Sequence, residues 1–166
     1  MSLYKYNRRK FLTLTAAPLF ASACGFTPIY SAGSAAEEMH DRIALGTFTG
    51  LDGFQMREQL ETRLGVATAA THRLDVVLSV DSEGLAVTQD GSITRYNLSG
   101  EALFTVTQLG GGVVFTDTVS AFTAYNATAS AYATRIAERD ANRRMAVTIA
   151  DRIVTRMAIS AEDWLT

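Results

Sequence analysis

The chain runs to 166 residues, with 48% hydrophobic and 19% charged side chains, a formal charge of −2, one cysteine and two histidines. That size suits one folded domain able to bury about two thirds of its unfolded surface. The counts exclude an intrachain disulfide and leave no spacing for a His/Cys metal site, and no basic stripe marks a nucleic-acid binder.

The first element is a leader. Lys5, Arg8, Arg9 and Lys10 form a basic start, Phe11 to about Phe20 is uncharged and mildly apolar, and Ala21-Ser22-Ala23 sets small residues ahead of Cys24. A signal peptidase pocket requires such small residues, so residues 1–23 read as a signal peptide cleaved between Ala23 and Cys24. The apolar run is too short to span a bilayer permanently. The arrangement resembles the lipobox of bacterial lipoproteins, which implies lipid attachment at Cys24. Two or three acyl chains, each CH₂ contributing about 0.8 kcal/mol, hold a chain to a membrane almost permanently. The alternative, a buried core cysteine behind an amphipathic helix, is opposed by Pro18, the basic cluster and the absence of acidic residues before Cys24. Asn7-Arg8-Arg9-Lys10-Phe11-Leu12 resembles a twin-arginine motif, but arginine pairs also occur in ordinary secretory leaders, so both export routes stay open. Gly25 after the cysteine resembles the outer-membrane class of lipoprotein.

Removing Lys5, Arg8, Arg9 and Lys10 from the fifteen cations leaves eleven, all arginine, against seventeen carboxylates, a formal balance of about −6. Residues 24–41 are small and polar around Phe26, Ile29 and Tyr30 and read as a lipidated flexible tether. A single domain follows over 42–166. Arg42 to Phe48 predicts a strand and Gly50 to Gly53 a turn. Met56, Leu60 and Leu64 then predict a helix, with Asp52 as N-cap, Arg57 positioned to pair with Glu61, and Gly65 as stop. The period switches to alternation at Leu74, Val76, Leu78 and Val80, continued by Leu85 and Val87 past a bend at Gly84. Gln89-Asp90-Gly91-Ser92 carries a hairpin signal. The next strand sets Tyr96, Leu98, Gly100, Ala102, Phe104 and Val106 on one face and Arg95, Asn97, Ser99, Glu101, Thr105 and Thr107 on the other. After Gly110-Gly111-Gly112, Val113 to Thr123 completes the meander.

A long amphipathic helix follows, to about Ile159, with Tyr132, Ile136, Ala146, Ile149, Ala150, Ile153, Val154 and Met157 in its apolar stripe. Arg139 and Arg143 lie near the stripe's edge, and Ser160 to Thr166 reads as a short tail. The order β-α-β-β-β-α predicts an α+β two-layer sandwich, a four-stranded sheet with two helices on one face.

No catalytic set assembles from these residues. His40 falls in the tether and His72 in a loop before a strand, Glu37-Glu38 is a charge run, and Asp75, Asp81 and Asp90 sit at separated strand and turn positions. The triple glycine lacks the Lys-Ser/Thr of a phosphate loop and lies between strands. No enzyme activity, cofactor or metal is expected.

Four features coincide: the lipobox, Cys-Gly-Phe-Thr-Pro-Ile-Tyr after it, the element order, and a terminal helix running from Tyr132-Ala133 through Asp140-Ala141 and Arg143 to Ala150-Asp151-Arg152-Ile153. Together they resemble the LPS-assembly lipoprotein LptE family. That resemblance implies an outer-membrane lipoprotein on the periplasmic side, partnering an LptD-like β-barrel as plug and assembly factor and contacting lipopolysaccharide during its delivery to the cell surface. Arginine suits bidentate phosphate contact. Arg95, on the outward face near the hairpin, is the candidate for a lipid A phosphate and Arg73 the second, each with the alternative of pairing with Glu101 or Asp75. Two rival readings use the same residues: an auxiliary lipoprotein of an ABC-type lipid-transport system, and a tethered periplasmic hydrolase dependent on His72 or Asp75.

Overall fold

A computed structural model describes residues 34–50, 53–87 and 91–165. Cys24, Ala23 and the rest of the leader lie outside the described residues, as do Asp52 and Asp90. The elements are α1 (Ala35–Glu38), β1 (Ile43–Thr49), α2 (Gly53–Leu64), β2 (His72–Val87), β3 (Ile93–Gln108), β4 (Val113–Asn126) and α3 (Ala131–Trp164). The expected α+β sandwich is present, as one sheet of order β1-β2-β3-β4. β1 pairs with β2 in parallel, and the two hairpins β2-β3 and β3-β4 are antiparallel.

Alternation sets the layers. Leu74, Val76 and Leu78 on β2 and Leu98, Ala102, Phe104 and Val106 on β3 turn inward to meet Met56, Leu60 and Leu64 of α2 and Met145, Ile149, Ile153 and Met157 of α3. β2 continues through Gly84 to Val87 with an irregular register there, as the bend at Gly84 suggests. Gly65 ends α2 with φ +79°, and its N–H donates to Glu61 O at 2.9 Å. A side chain there would be strained by its dihedral and would collide with His40 Nδ1 at 2.7 Å.

Several expectations need correction. A third, short helix, α1, buries Ala36, with Met39 buried just beyond it, so core packing starts upstream of Arg42. One turn is too brief to show a period. The long helix does not stop at Ile159: it reaches Trp164, and Ala161, Trp164 and Leu165 are buried. Ser160-Ala161-Glu162-Asp163 looks like a terminator, but the indole behind it packs on His72 and Phe115 and keeps the last turn wound. His72 opens β2 and is 2% exposed, so it is a core residue and not a loop one. At the other end of α3, Tyr132 and Ile136 are 75% and 45% exposed. The first fully buried side chain of α3 is Ala141 and Ala137 is partly buried against the core, so the first six residues, about 9 Å of helix, overhang it.

Candidate interaction surfaces

Both open edges of the sheet are covered by arginine. Beside β1, Arg57 of α2 donates to Leu45 O at 3.1 Å and Gly46 O at 3.2 Å, lies over the Phe48 ring at 5.4 Å, and pairs with Glu61 at 3.2 Å as its spacing predicts. Asp75 Oδ1 accepts from Thr47 N–H at 2.7 Å where the β1-β2 register slips. Beside β4, Arg144 donates to Ala124 O at 3.2 Å, Arg152 to Ser120 O, and Arg156 to Asp117 Oδ2 at 2.7 Å. The spacing explains the match: eight helical residues between Arg144 and Arg152 rise about 12 Å, and four strand residues between Ala124 and Ser120 span about 13 Å. Thr118 N–H and the Arg156 guanidinium together hold the Asp117 carboxyl below its ordinary range. Unpaired edge groups template strand addition, and these guanidiniums occupy part of each edge.

Among the described residues nothing covers the outward sheet face. Arg73, Asp75, Ser79 and Asp81 of β2 and Arg95, Asn97, Ser99 and Glu101 of β3 lie on it, as alternation predicts. It is less polar than expected: Val77 lies opposite Leu103, both exposed, and Phe122, opposite Ser99, is 78% exposed.

The two arginines singled out in the sequence do not form one site. Arg73 lies opposite Thr107, and Arg95 is twelve positions earlier on β3, roughly 40 Å away along the strand. Arg73 Nε donates to Asp75 Oδ2 at 2.8 Å, one of the two pairings considered. Among the described residues Arg95 has no ion pair. Nor do Arg135, Arg139 and Arg143, whereas Arg42, Arg57, Arg63, Arg73, Arg144 and Arg156 all do. Arg152 has none either, but its guanidinium is held on Ser120 O; the other four sit toward the end of the molecule where β3 and α3 begin. Sequence reasoning missed this convergence, because pairing depends on which carboxylates the fold brings near.

His72 and Asp75, the two residues offered for a hydrolase, fall on opposite faces of β2. Among the described residues no cluster of three His, Cys, Asp or Glu side chains is placed to hold a metal. No described helix is long and apolar enough to cross a membrane. A crevice of about 340 Å³ between α1, α2 and α3 has an apolar floor of Met39, Leu64 and Val154 rimmed by His40, Thr62 and Arg63.

A family model for lipopolysaccharide assembly, LptE, matches residues 40–157, which takes in the whole sheet, α2 and most of α3. The chain belongs to the LptE family. LptE proteins are non-enzymatic lipopolysaccharide-assembly lipoproteins, which agrees with the absence of a catalytic arrangement in the sequence. Among solved structures, a Caulobacter crescentus chain described as a lipoprotein is 21% identical with a TM-score of 0.61, over 77% of this chain and 96% of that one. Rare lipoprotein B of Shewanella oneidensis is 20% identical with a TM-score of 0.55, over 72% and 95%. A minor lipoprotein of Acinetobacter baumannii is 15% identical with a TM-score of 0.58, over 73% and 92%. At these identities the likeness is one of fold. No curated protein matches the sequence significantly.

Proposed function

We propose that this LptE-family chain is an outer-membrane lipoprotein, cleaved after Ala23 and acylated on Cys24. In this reading it sits against an LptD-like β-barrel as plug and assembly factor while lipopolysaccharide passes to the cell surface. The family match over residues 40–157 carries the reading. The surface supports it physically. A barrel lumen is wet and polar, and the outward sheet face carries Ser, Thr, Asn and charged side chains around an apolar patch of Val77, Leu103 and Phe122. Arg95 offers an unpaired guanidinium for a lipopolysaccharide phosphate, while Arg73 must first leave Asp75.

Purification from detergent-solubilised outer membrane tests the partnership: the chain should elute with the barrel. Elution alone, with the barrel assembling normally in its absence, refutes it. Mass spectrometry of Cys24 tests the anchor, and Cys24→Ser should release the chain as a soluble folded protein. Arg95→Gln should weaken lipopolysaccharide binding with no change in thermal stability.

A further inference from the structure

The first turns of α3 carry an exposed stripe that continues the core-facing one toward the helix start. Tyr132, Arg135, Ile136, Arg139 and Arg143 fall at i, i+3, i+4, i+7 and i+11, which is one helix face. All five are exposed, and none of the three arginines has an ion-pair partner among the described residues. The acidic side chains nearby are turned elsewhere. Asp140 is paired with Arg144, and Glu138 acts on Tyr125, whose hydroxyl is pushed up by burial and by that charge. A face of guanidiniums one turn apart, interleaved with a tyrosine and an isoleucine and free of carboxylates, is made for an anionic surface.

We propose that this stripe is a docking surface for an anionic phospholipid bilayer, with the guanidiniums on headgroup phosphates and Tyr132 and Ile136 inserted shallowly between them. Charge complementarity selects the occupant, and size supports the choice. Five side chains on three turns cover far less than the ~800 Å² per partner of a stable protein interface, whereas a shallow cationic helix face suffices at a lipid surface. Tyrosine favours the interfacial level of a membrane. The proposal stands independently of the barrel partnership.

Co-sedimentation with vesicles tests it, using the whole secreted chain carrying Cys24→Ser so that acyl chains contribute nothing, with its fold checked by circular dichroism. Binding to vesicles of mixed phosphatidylcholine and phosphatidylglycerol should exceed binding to phosphatidylcholine alone, and should fall as salt rises. Replacing Arg135, Arg139 and Arg143 together by Gln should reduce it on the order of 100-fold, from roughly a fivefold contribution per cation. Tyr132→Ala should reduce it further at constant charge. Equal binding to both vesicle types, or a triple variant that binds like the parent, overturns the proposal. Sedimentation with lipopolysaccharide aggregates but not with phosphatidylglycerol also overturns it, by assigning the phosphates to a saccharolipid.

Discussion

Truncating the single tryptophan, Trp164→Ala, tests how far the folded body extends. The indole is 5% exposed, stands edge-on to the His72 ring at 5.5 Å, stacks on Phe115 at 6.1 Å, and donates from Nε1 to Ser160 Oγ at 3.1 Å. Truncating a buried tryptophan to alanine costs about 3–5 kcal/mol through lost burial and the cavity left behind. A domain has roughly 5–15 kcal/mol in all, so the loss is a large share of the total. For a chain of this size each kcal/mol moves Tm by about 2–4 °C, which gives a drop of roughly 6–20 °C. Local fraying of the last helical turn favours the lower part of that range.

The assay is urea and thermal unfolding followed by far-ultraviolet circular dichroism, because the substitution removes the only tryptophan signal. Trp164→Phe should recover most of the loss by keeping the ring contacts with Phe115 and His72. A loss under about 1 kcal/mol, the size expected of an exposed position, refutes the claim that residues 160–165 belong to the core.

His72 ties stability to pH. Burial holds its imidazole below the ordinary value, Arg42 acts in the same direction, and the nearby Trp164 carbonyl opposes them in part. The fold therefore favours the neutral ring: stability is full above the unfolded value of about 6.5 and declines as pH falls below it. Urea midpoints between pH 7.5 and 5 should decrease in the parent and flatten in His72→Gln. At Gly100 a new Cβ would collide with Met145 Sδ and meet Ile149 Cδ1 at 3.1 Å, so Gly100→Val should cost about 1–3 kcal/mol in thermal unfolding. Gly100→Ala should cost less, because the thioether can swing aside. Replacing Arg144, Arg152 and Arg156 together by Ala uncaps β4, and light scattering should then show concentration-dependent self-association absent from the parent.

The sheet was legible because its signal is local. Period-2 alternation at Leu74 to Val80 and at Tyr96 to Val106 states both the strand and its buried face, and the turn glycines mark where strands end. What sequence could not supply depends on neighbours distant along the chain. Tyr132 and Ile136 have the right period for the core stripe, yet at that point α3 has run past the sheet, and among the described residues nothing buries them. Trp164 has the opposite history: its local sequence reads as a tail, and contact with His72 and Phe115, from β2 and β4, makes it core. The same limit applied to the arginines. Arg57-Glu61 was readable from i,i+4 spacing, whereas Arg156-Asp117 joins residues from separate elements and needed the fold.

That division explains the shape of the interaction surface. An α+β sandwich with an open sheet has two edges and one bare face, and each edge is a template for unwanted pairing with another chain. Here the long helix lies antiparallel to β4, so its arginines fall in step with outward-pointing strand carbonyls, while Arg57 on α2 does the same for β1. Those guanidiniums are fixed to backbone or carboxylate and are not available to a ligand. The cations that remain are Arg95, near the start of β3, and the stripe on the first turns of α3. Edge protection and ligand contact are therefore divided along α3. Shortening the overhang should weaken lipid contact without loosening the core, and uncapping β4 should disturb the sheet edge without touching lipid contact.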